Sequence, residues 1–123
     1  MRIGELLDEL RSALPGCDLC AYIDLDVALV MSLSAPQKPP QEQLDALAEM
    51  ACVLLRSNPC PAEGDHASET EFTTFLTQDR SYFLMRSTGD PGEVICCRCG
   101  ADVDPDAVEA GARLTLKWVG EAA

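Results

Sequence analysis

The chain is 123 residues long, with 9 basic against 21 acidic side chains for a net charge of −12, and 47% of it is hydrophobic. That length and composition suit one globular domain with core enough to fold without metal or disulfide staples, and they argue against disorder. No apolar run approaches the ~18–20 residues of a membrane span, and the acidic balance repels phosphate backbones and anionic lipid, so neither nucleic acid nor membrane is an expected partner.

In chain order, Ile3, Leu6, Leu7, Leu10 and Leu14 recur at helical spacing, and Pro15-Gly16 ends that helix. The opening MRIGELLDEL is an acidic amphipathic segment and not a secretory signal, so the expected location is cytoplasmic. Cys17–Asp24 alternates Leu19, Ala21 and Ile23 with Cys20 and Tyr22, which is a strand pattern. Asp24-Leu25-Asp26 then forms a hairpin turn into a second strand, Ala28–Leu33. Three prolines mark Ser34–Pro40 as a loop.

Gln41–Ser57 is a helix with apolar residues on too many sides. Leu44, Ala48, Ala51 and Leu55 line one face, Leu47 and Leu54 widen it, and Ala46, Met50 and Val53 carry it further round. Asp45, Glu49 and Arg56 crowd into a narrow opposite sector. The apolar arc spans about 220°, where docking on one sheet needs only about 100°. Such a helix has surface for a second partner. In so short a chain, another copy of itself fits that role.

Asn58–Ser68 carries two prolines and a glycine without periodicity and reads as an exposed loop. Three strands follow. Glu71–Thr77 sets Phe72, Thr74 and Leu76 opposite Thr73 and Phe75; Ser81–Ser87 follows a turn at Gln78-Asp79-Arg80; Glu93–Cys99 follows a turn at Gly89-Asp90-Pro91-Gly92. Asp104 before Pro105 is an N-cap with proline at the first helical position, opening a helix over Asp106–Val119. Along that helix Ala107, Ala110, Gly111, Leu114 and Trp118 form one line. The order of helix, two strands, helix, three strands and helix predicts antiparallel hairpins in one sheet, with helices able to cover both faces.

This order, with the residues that fill it, resembles the Roadblock/LC7 family. The similarity is carried by LLDELRSALPG at Leu6–Gly16, YIDLDVALVMS at Tyr22–Ser32, LDALAEMACVLL at Leu44–Leu55 and DRSYFLMRSTGDPGEVICC at Asp79–Cys97, then by the Pro/Asp-rich entry to the last helix. It covers nearly the whole chain through patterns of apolar residues and turns, not through an invariant catalytic motif. Two features depart from it: Val27 stands where a glycine often follows the Asp of the first hairpin, and Asn58–Ser68 is longer than a minimal connection.

The resemblance implies a single α+β domain over residues 1–123, profilin-like in its αββαβββα order, with α/β/α layers and a five-stranded antiparallel sheet ordered 2-1-5-4-3. Members typically form homo- or heterodimers by pairing their central helices and joining sheet edges at the third strand. An exposed edge such as Glu71–Thr77 otherwise invites aggregation, and dimerisation would cap it. The expected interface is Ala46, Met50, Val53 and Leu54 on the helix, with Phe72, Thr73 and Phe75 on the strand. Bacterial and archaeal members often regulate or scaffold small Ras-like GTPases, and eukaryotic ones serve dynein or lysosomal signalling complexes. The resemblance therefore implies a non-enzymatic homodimer that binds a small GTPase or a similar switch protein. A rival of another class is the small acidic dimeric secretion chaperone, which usually has three strands before the middle helix and two after it.

Little in the chain suggests chemistry of its own, and no catalytic residue or cofactor is expected. His66, the single histidine, lies in the proline-containing loop without a nucleophile of defined geometry. Gly89–Gly92 is a hairpin turn and lacks the context of a phosphate loop, while Asp24/Asp26 and Asp102/Asp104/Asp106 suit turns and a helix cap. Arg80 and Arg86 are commonplace near hairpins.

Seven cysteines complicate this reading. Cys17-x-x-Cys20 and Cys96-Cys97-Arg98-Cys99-Gly100 together offer the C-x-x-C…C-x-x-C-G pattern of a four-thiolate zinc site. The implied topology places the start of the first strand beside the end of the fifth, which gathers these thiols at one end of the sheet. Against that, a continuous strand sends residues i and i+3 to opposite faces, and free cysteine is among the most buried residue types. The expectation is ordinary core thiols and no metal ligand, with a zinc or thiol-redox module as the alternative. Cys52 and Cys60 look incidental.

Overall fold

The computed structural model describes residues 3–56, 72–86 and 92–122. Its elements are α1 (Ile3–Ala13), β1 (Cys17–Asp24), β2 (Leu29–Ser34), α2 (Gln41–Arg56), β3 (Phe72–Leu76), β4 (Ser81–Arg86), β5 (Glu93–Cys99) and α3 (Pro105–Ala122). The strands form one antiparallel sheet ordered β2-β1-β5-β4-β3, the expected order. Two strands precede α2, not the three that the chaperone order requires. Asn58–Ser68, with His66 and Cys60, lies outside the described residues, as does most of the Gly89–Gly92 turn.

Local chemistry sets the element ends. Gly16 adopts φ 86° just after α1, a left-handed turn that glycine enters without steric cost, and the Cys17 N–H donates to the Leu14 carbonyl at 3.0 Å. Asp104 Oδ1 accepts from the Asp106 N–H at 3.0 Å, the N-cap read from the sequence. In the first hairpin Asp24 Oδ1 accepts from the Asp26 N–H at 2.9 Å, and Ala28 takes φ 55°. The left-handed residue is thus Ala28, one position after Val27. Between β3 and β4 the Thr77 N–H donates to the Arg80 carbonyl at 2.9 Å and closes the turn.

The sheet separates two cores. On one side Leu6, Leu7, Leu10 and Leu14 of α1 and Val108, Ala112, Leu116 and Val119 of α3 pack on Cys20, Tyr22, Phe83, Met85, Ile95 and Cys97. On the other side, among the described residues, α2 sets Leu47, Ala48, Ala51 and Leu55 against Leu19, Ala21, Ile23, Leu84, Val94 and Cys96. Layers of α/β/α result.

The line Ala107, Ala110, Gly111, Leu114 and Trp118 is not the buried stripe of α3: Leu114 and Trp118 are exposed, and the sheet side is Val108, Ala112, Thr115, Leu116 and Val119. The two stripes differ by one residue, about 100° of rotation. Periodicity alone does not choose between them, and Val108, Leu116 and Val119 carry more apolar surface than the alanines of the other line. The Thr115 hydroxyl avoids a buried orphan by donating to the Gly111 carbonyl at 2.9 Å.

Candidate protein-binding surface

The sheet register builds rows of side chains on the α2 side. One row runs Leu19, Arg98, Tyr82, Phe75 from β1 to β3, and the next runs Ala21, Cys96, Leu84, Thr73. Five strands spaced by about 4.8 Å make a sheet about 19 Å wide, whereas one helix covers only about 10 Å. Although α2 packs over β2, β1 and β5 and reaches Leu84 of β4, the strip of this face along β3 has no helix above it among the described residues. The row ending in Phe75 is the barest part: Phe75 is 36% exposed, and its ring leans on Tyr82 at 6.0 Å.

Toward this open strip, Ala46, Leu47 and Met50 of α2 face Leu19 and Arg98 of the sheet across a cleft of about 140 Å³. Arg98 Nε is anchored at 2.8 Å to Asp18 Oδ1, and Arg80 Nε lies 3.5 Å from Asp18 Oδ2. Arg86 donates from β4 to the Leu55 carbonyl at 3.1 Å and ties the end of α2 to the sheet. Arg80 and Arg86, commonplace in the sequence, thus brace this surface.

The expected interface residues fall into two groups. Ala46 and Val53 are exposed on α2, Val53 by 64%, while Met50 and Leu54 are half-buried beside them. Thr73 and Phe75 share the α2 side of the sheet. Phe72 lies on the opposite side, where its ring stacks on Phe83 at 5.9 Å and joins the α1/α3 core. The two-residue period of β3 separates Phe72 from Thr73 and Phe75, so Phe72 borders the edge through its backbone. Sequence reasoning did not single out Tyr82 and Arg98, whose place beside Phe75 depends on strand pairing across the sheet.

At the far end of β1 the cysteines are arranged differently from the expectation of a regular strand. The β1–β5 register shifts between Cys17 and Leu19: Cys17 pairs with Cys99, whereas Cys20 pairs with Cys97. This irregularity at Asp18 turns Cys17 to the same side as Cys20, Cys97 and Cys99, and all four belong to the α1/α3 core. Cys96 faces α2, where burial pushes its thiol up to about 12. Hydrogen bonds from Cys20, Cys97 and Cys99 hold Cys17 far below the ordinary thiol range, against the opposing effect of its burial. Cys52 is half-buried and donates to the Leu25 carbonyl at 3.5 Å.

No protein-family model matches the sequence, and no curated protein matches it either. Solved structures do. A Roadblock/LC7 domain from Streptomyces avermitilis superposes with a TM-score of 0.76 at 19% identity, covering 97% of this chain and 95% of that one. MglC from Myxococcus xanthus gives 0.66 at 14% identity over 100% of both chains. An MglB structure described as having a tetrameric arrangement gives 0.77 at 14% identity, covering 98% of this chain and 86% of that one. The chain has the Roadblock/LC7 fold.

Proposed function

We propose that the chain is a homodimeric, non-enzymatic regulator or scaffold that binds a small Ras-like GTPase or a similar switch protein. The observation that carries this reading is the uncovered strip along β3 on the α2 side of the sheet. That strip lies between Ala46, Met50, Val53 and Leu54 on the helix and the free edge of β3. A second copy related by a two-fold axis sets its own α2 beside the first and its β3 against the first β3. That isologous contact covers the open strip, the surplus arc of α2 and the strand edge together. Thr73 and Phe75 contribute to it from the sheet face, and Phe72 from the edge.

Similarity to the Roadblock/LC7, MglB and MglC structures supports a regulator over an enzyme, and the tetrameric arrangement described for MglB supports self-association. The residues on this surface suit contact more than catalysis. Phe75, Tyr82 and Met50 offer apolar and aromatic surface, and the arginines Arg80 and Arg98 are already engaged by Asp18. Among the described residues no helix is long and apolar enough to cross a membrane.

Light scattering of the purified chain tests the dimer. Met50→Glu and Val53→Glu are expected to give monomers or aggregates, because each buries an unpaired charge at the seam. Dimers unchanged by both substitutions would sink the interface. The partner is tested by capture of purified small GTPases encoded near the gene, each loaded with GDP or a non-hydrolysable GTP analogue. Saturable binding supports the regulator reading, and no binding in either nucleotide state removes it while leaving the dimer intact.

A further inference from the structure

We propose that Cys17, Cys20, Cys97 and Cys99 form a tetrahedral thiolate site for zinc on the α1/α3 side of the sheet. The site is independent of the dimer seam, which lies across the sheet from it. The obvious objection is that a regular strand points Cys17 and Cys20 to opposite faces, since residues three apart alternate. The irregularity at Asp18 removes that objection, because the β1–β5 register shifts there and both side chains point to one side. On β5, Cys97 and Cys99 are two residues apart and share a face without any device. Two adjacent antiparallel strands thus present a two-by-two array, with Cys17 opposite Cys99 and Cys20 opposite Cys97.

Sulfur positions fit the metal. Cys20 Sγ lies 3.5 Å from Cys17 Sγ and 3.6 Å from Cys97 Sγ, and the three sulfurs all lie within 4.8 Å of one another. With Zn–S bonds of about 2.3 Å, a tetrahedron has edges of about 3.8 Å, so two of the three edges are within a few tenths of an ångström of the required length. Cys99 is fully buried directly across from Cys17, with its sulfur outside the group of three that lie within 4.8 Å of one another. A side-chain rotation toward those three sulfurs makes it the fourth ligand. Cys17, at 9% exposure, is the only one of the four with appreciable solvent contact and gives the ion its entry.

The donor set selects the metal class. Four thiolates favour zinc over magnesium or calcium, which take oxygen ligands. Binding of one Zn²⁺ displaces whatever protons the four sulfurs carry, which leave to solvent, and no electron is transferred. The other two described cysteines are excluded by position: Cys96 faces α2, and Cys52 lies on α2 itself. Apolar packing explains the burial of each thiol singly. It does not explain why a bulge turns Cys17 toward the other three.

Metal analysis of the full chain, purified under reducing conditions without chelator or added metal, tests the site. About one zinc per chain is expected, retained in Cys52→Ser and Cys96→Ala and lost in Cys20→Ser and Cys97→Ser. Because those two losses also follow from misfolding, the reduced metal-free wild-type chain is titrated with Co²⁺ in parallel. A tetrahedral cobalt site with thiolate ligands is expected to show sulfur-to-metal charge transfer in the near ultraviolet and intense d–d bands in the red. Displacement of that spectrum by Zn²⁺ would support the site. A folded wild type that carries no zinc and gives no such spectrum overturns the proposal. So does zinc retained at full stoichiometry in a folded Cys97→Ser, or a disulfide among these four residues in the freshly isolated protein.

Discussion

Gly111 on α3 lies so close to Leu10 on α1 that a β-carbon at position 111 would come within 2.8 Å of Leu10 Cδ1. Leu10 is itself buried in the α1/α3 core, so it has little room to give way. Glycine inside a helix normally costs about 1 kcal/mol relative to alanine, whereas forcing extra volume into a packed contact costs about 1–3 kcal/mol. These effects nearly cancel for Gly111→Ala, which is expected to unfold in urea within about 1 kcal/mol of the wild type. Gly111→Val adds two methyl groups and gains less helix propensity, so it is expected to lose about 2 kcal/mol or more. A Gly111→Val chain as stable as the wild type would contradict the close approach of the two helices.

Ala28 supplies the left-handed turn of the first hairpin at φ 55°. A residue with a β-carbon is disfavoured there by about 1–2 kcal/mol, and glycine gives back about 0.5–1 kcal/mol through its freer unfolded chain. Ala28→Gly is therefore expected to stabilise the protein by about 0.5–1 kcal/mol, read as a thermal midpoint raised by a few degrees. Val27→Gly, one residue earlier and half exposed, is expected to bring no such gain. An equal gain from both substitutions would place the strain elsewhere.

What could be read from the sequence was local. The surplus arc of α2, the Asp104-Pro105 cap and the stop at Pro15-Gly16 each depend on residues within a few positions of one another, and each kind of signal has its own physics. The bulge at Asp18 was not legible, because it arises from the pairing of β1 with β5, about eighty residues away. For the same reason, spacing alone set Cys17 and Cys20 on opposite faces. The buried face of α3 was not legible for another reason: two apolar stripes one residue apart were both available, and contact with α1 and the sheet chose between them. In β3 the alternation of Phe72 with Thr73 and Phe75 was legible, but an interface defined by strand membership put all three together.

Ser34 is buried at the end of β2, where its hydroxyl donates to Asp8 Oδ1 and accepts from Arg11 Nε at 2.8 Å. One hydroxyl thus ties two side chains of α1 to an edge strand. Removing it leaves both polar groups without that partner, and hydrogen bonds to charged groups contribute about 1.5–3 kcal/mol in mutational series. Asp8 is exposed and Arg11 only partly buried, so water replaces some of the loss. Ser34→Ala is expected to cost about 1–2 kcal/mol in chemical denaturation. A double-mutant cycle with Arg11→Ala should give a coupling above about 0.5 kcal/mol, and additive losses would show that the contact contributes nothing.

The edge of β3 separates a face-specific dimer from general stickiness. Phe75 and Leu76 are neighbours on one exposed strand, yet Phe75 sits on the α2 side beside Tyr82 while Leu76 points to the other side and is 68% exposed. Lysine on an edge strand is a common device against strand pairing, and both substitutions introduce the same charge on the same edge. In the proposed two-fold contact the lysine of Phe75→Lys enters the covered strip of the sheet, whereas that of Leu76→Lys stays in solvent. Phe75→Lys is therefore expected to weaken dimerisation by at least about tenfold, about 1.4 kcal/mol, and Leu76→Lys by no more than about threefold. Monomer stability should change little in either variant, because both side chains already contact solvent. Sedimentation across a dilution series reads the two constants. Equal weakening by both would show that the edge associates without regard to face, and the helix-to-helix seam would then have to be abandoned.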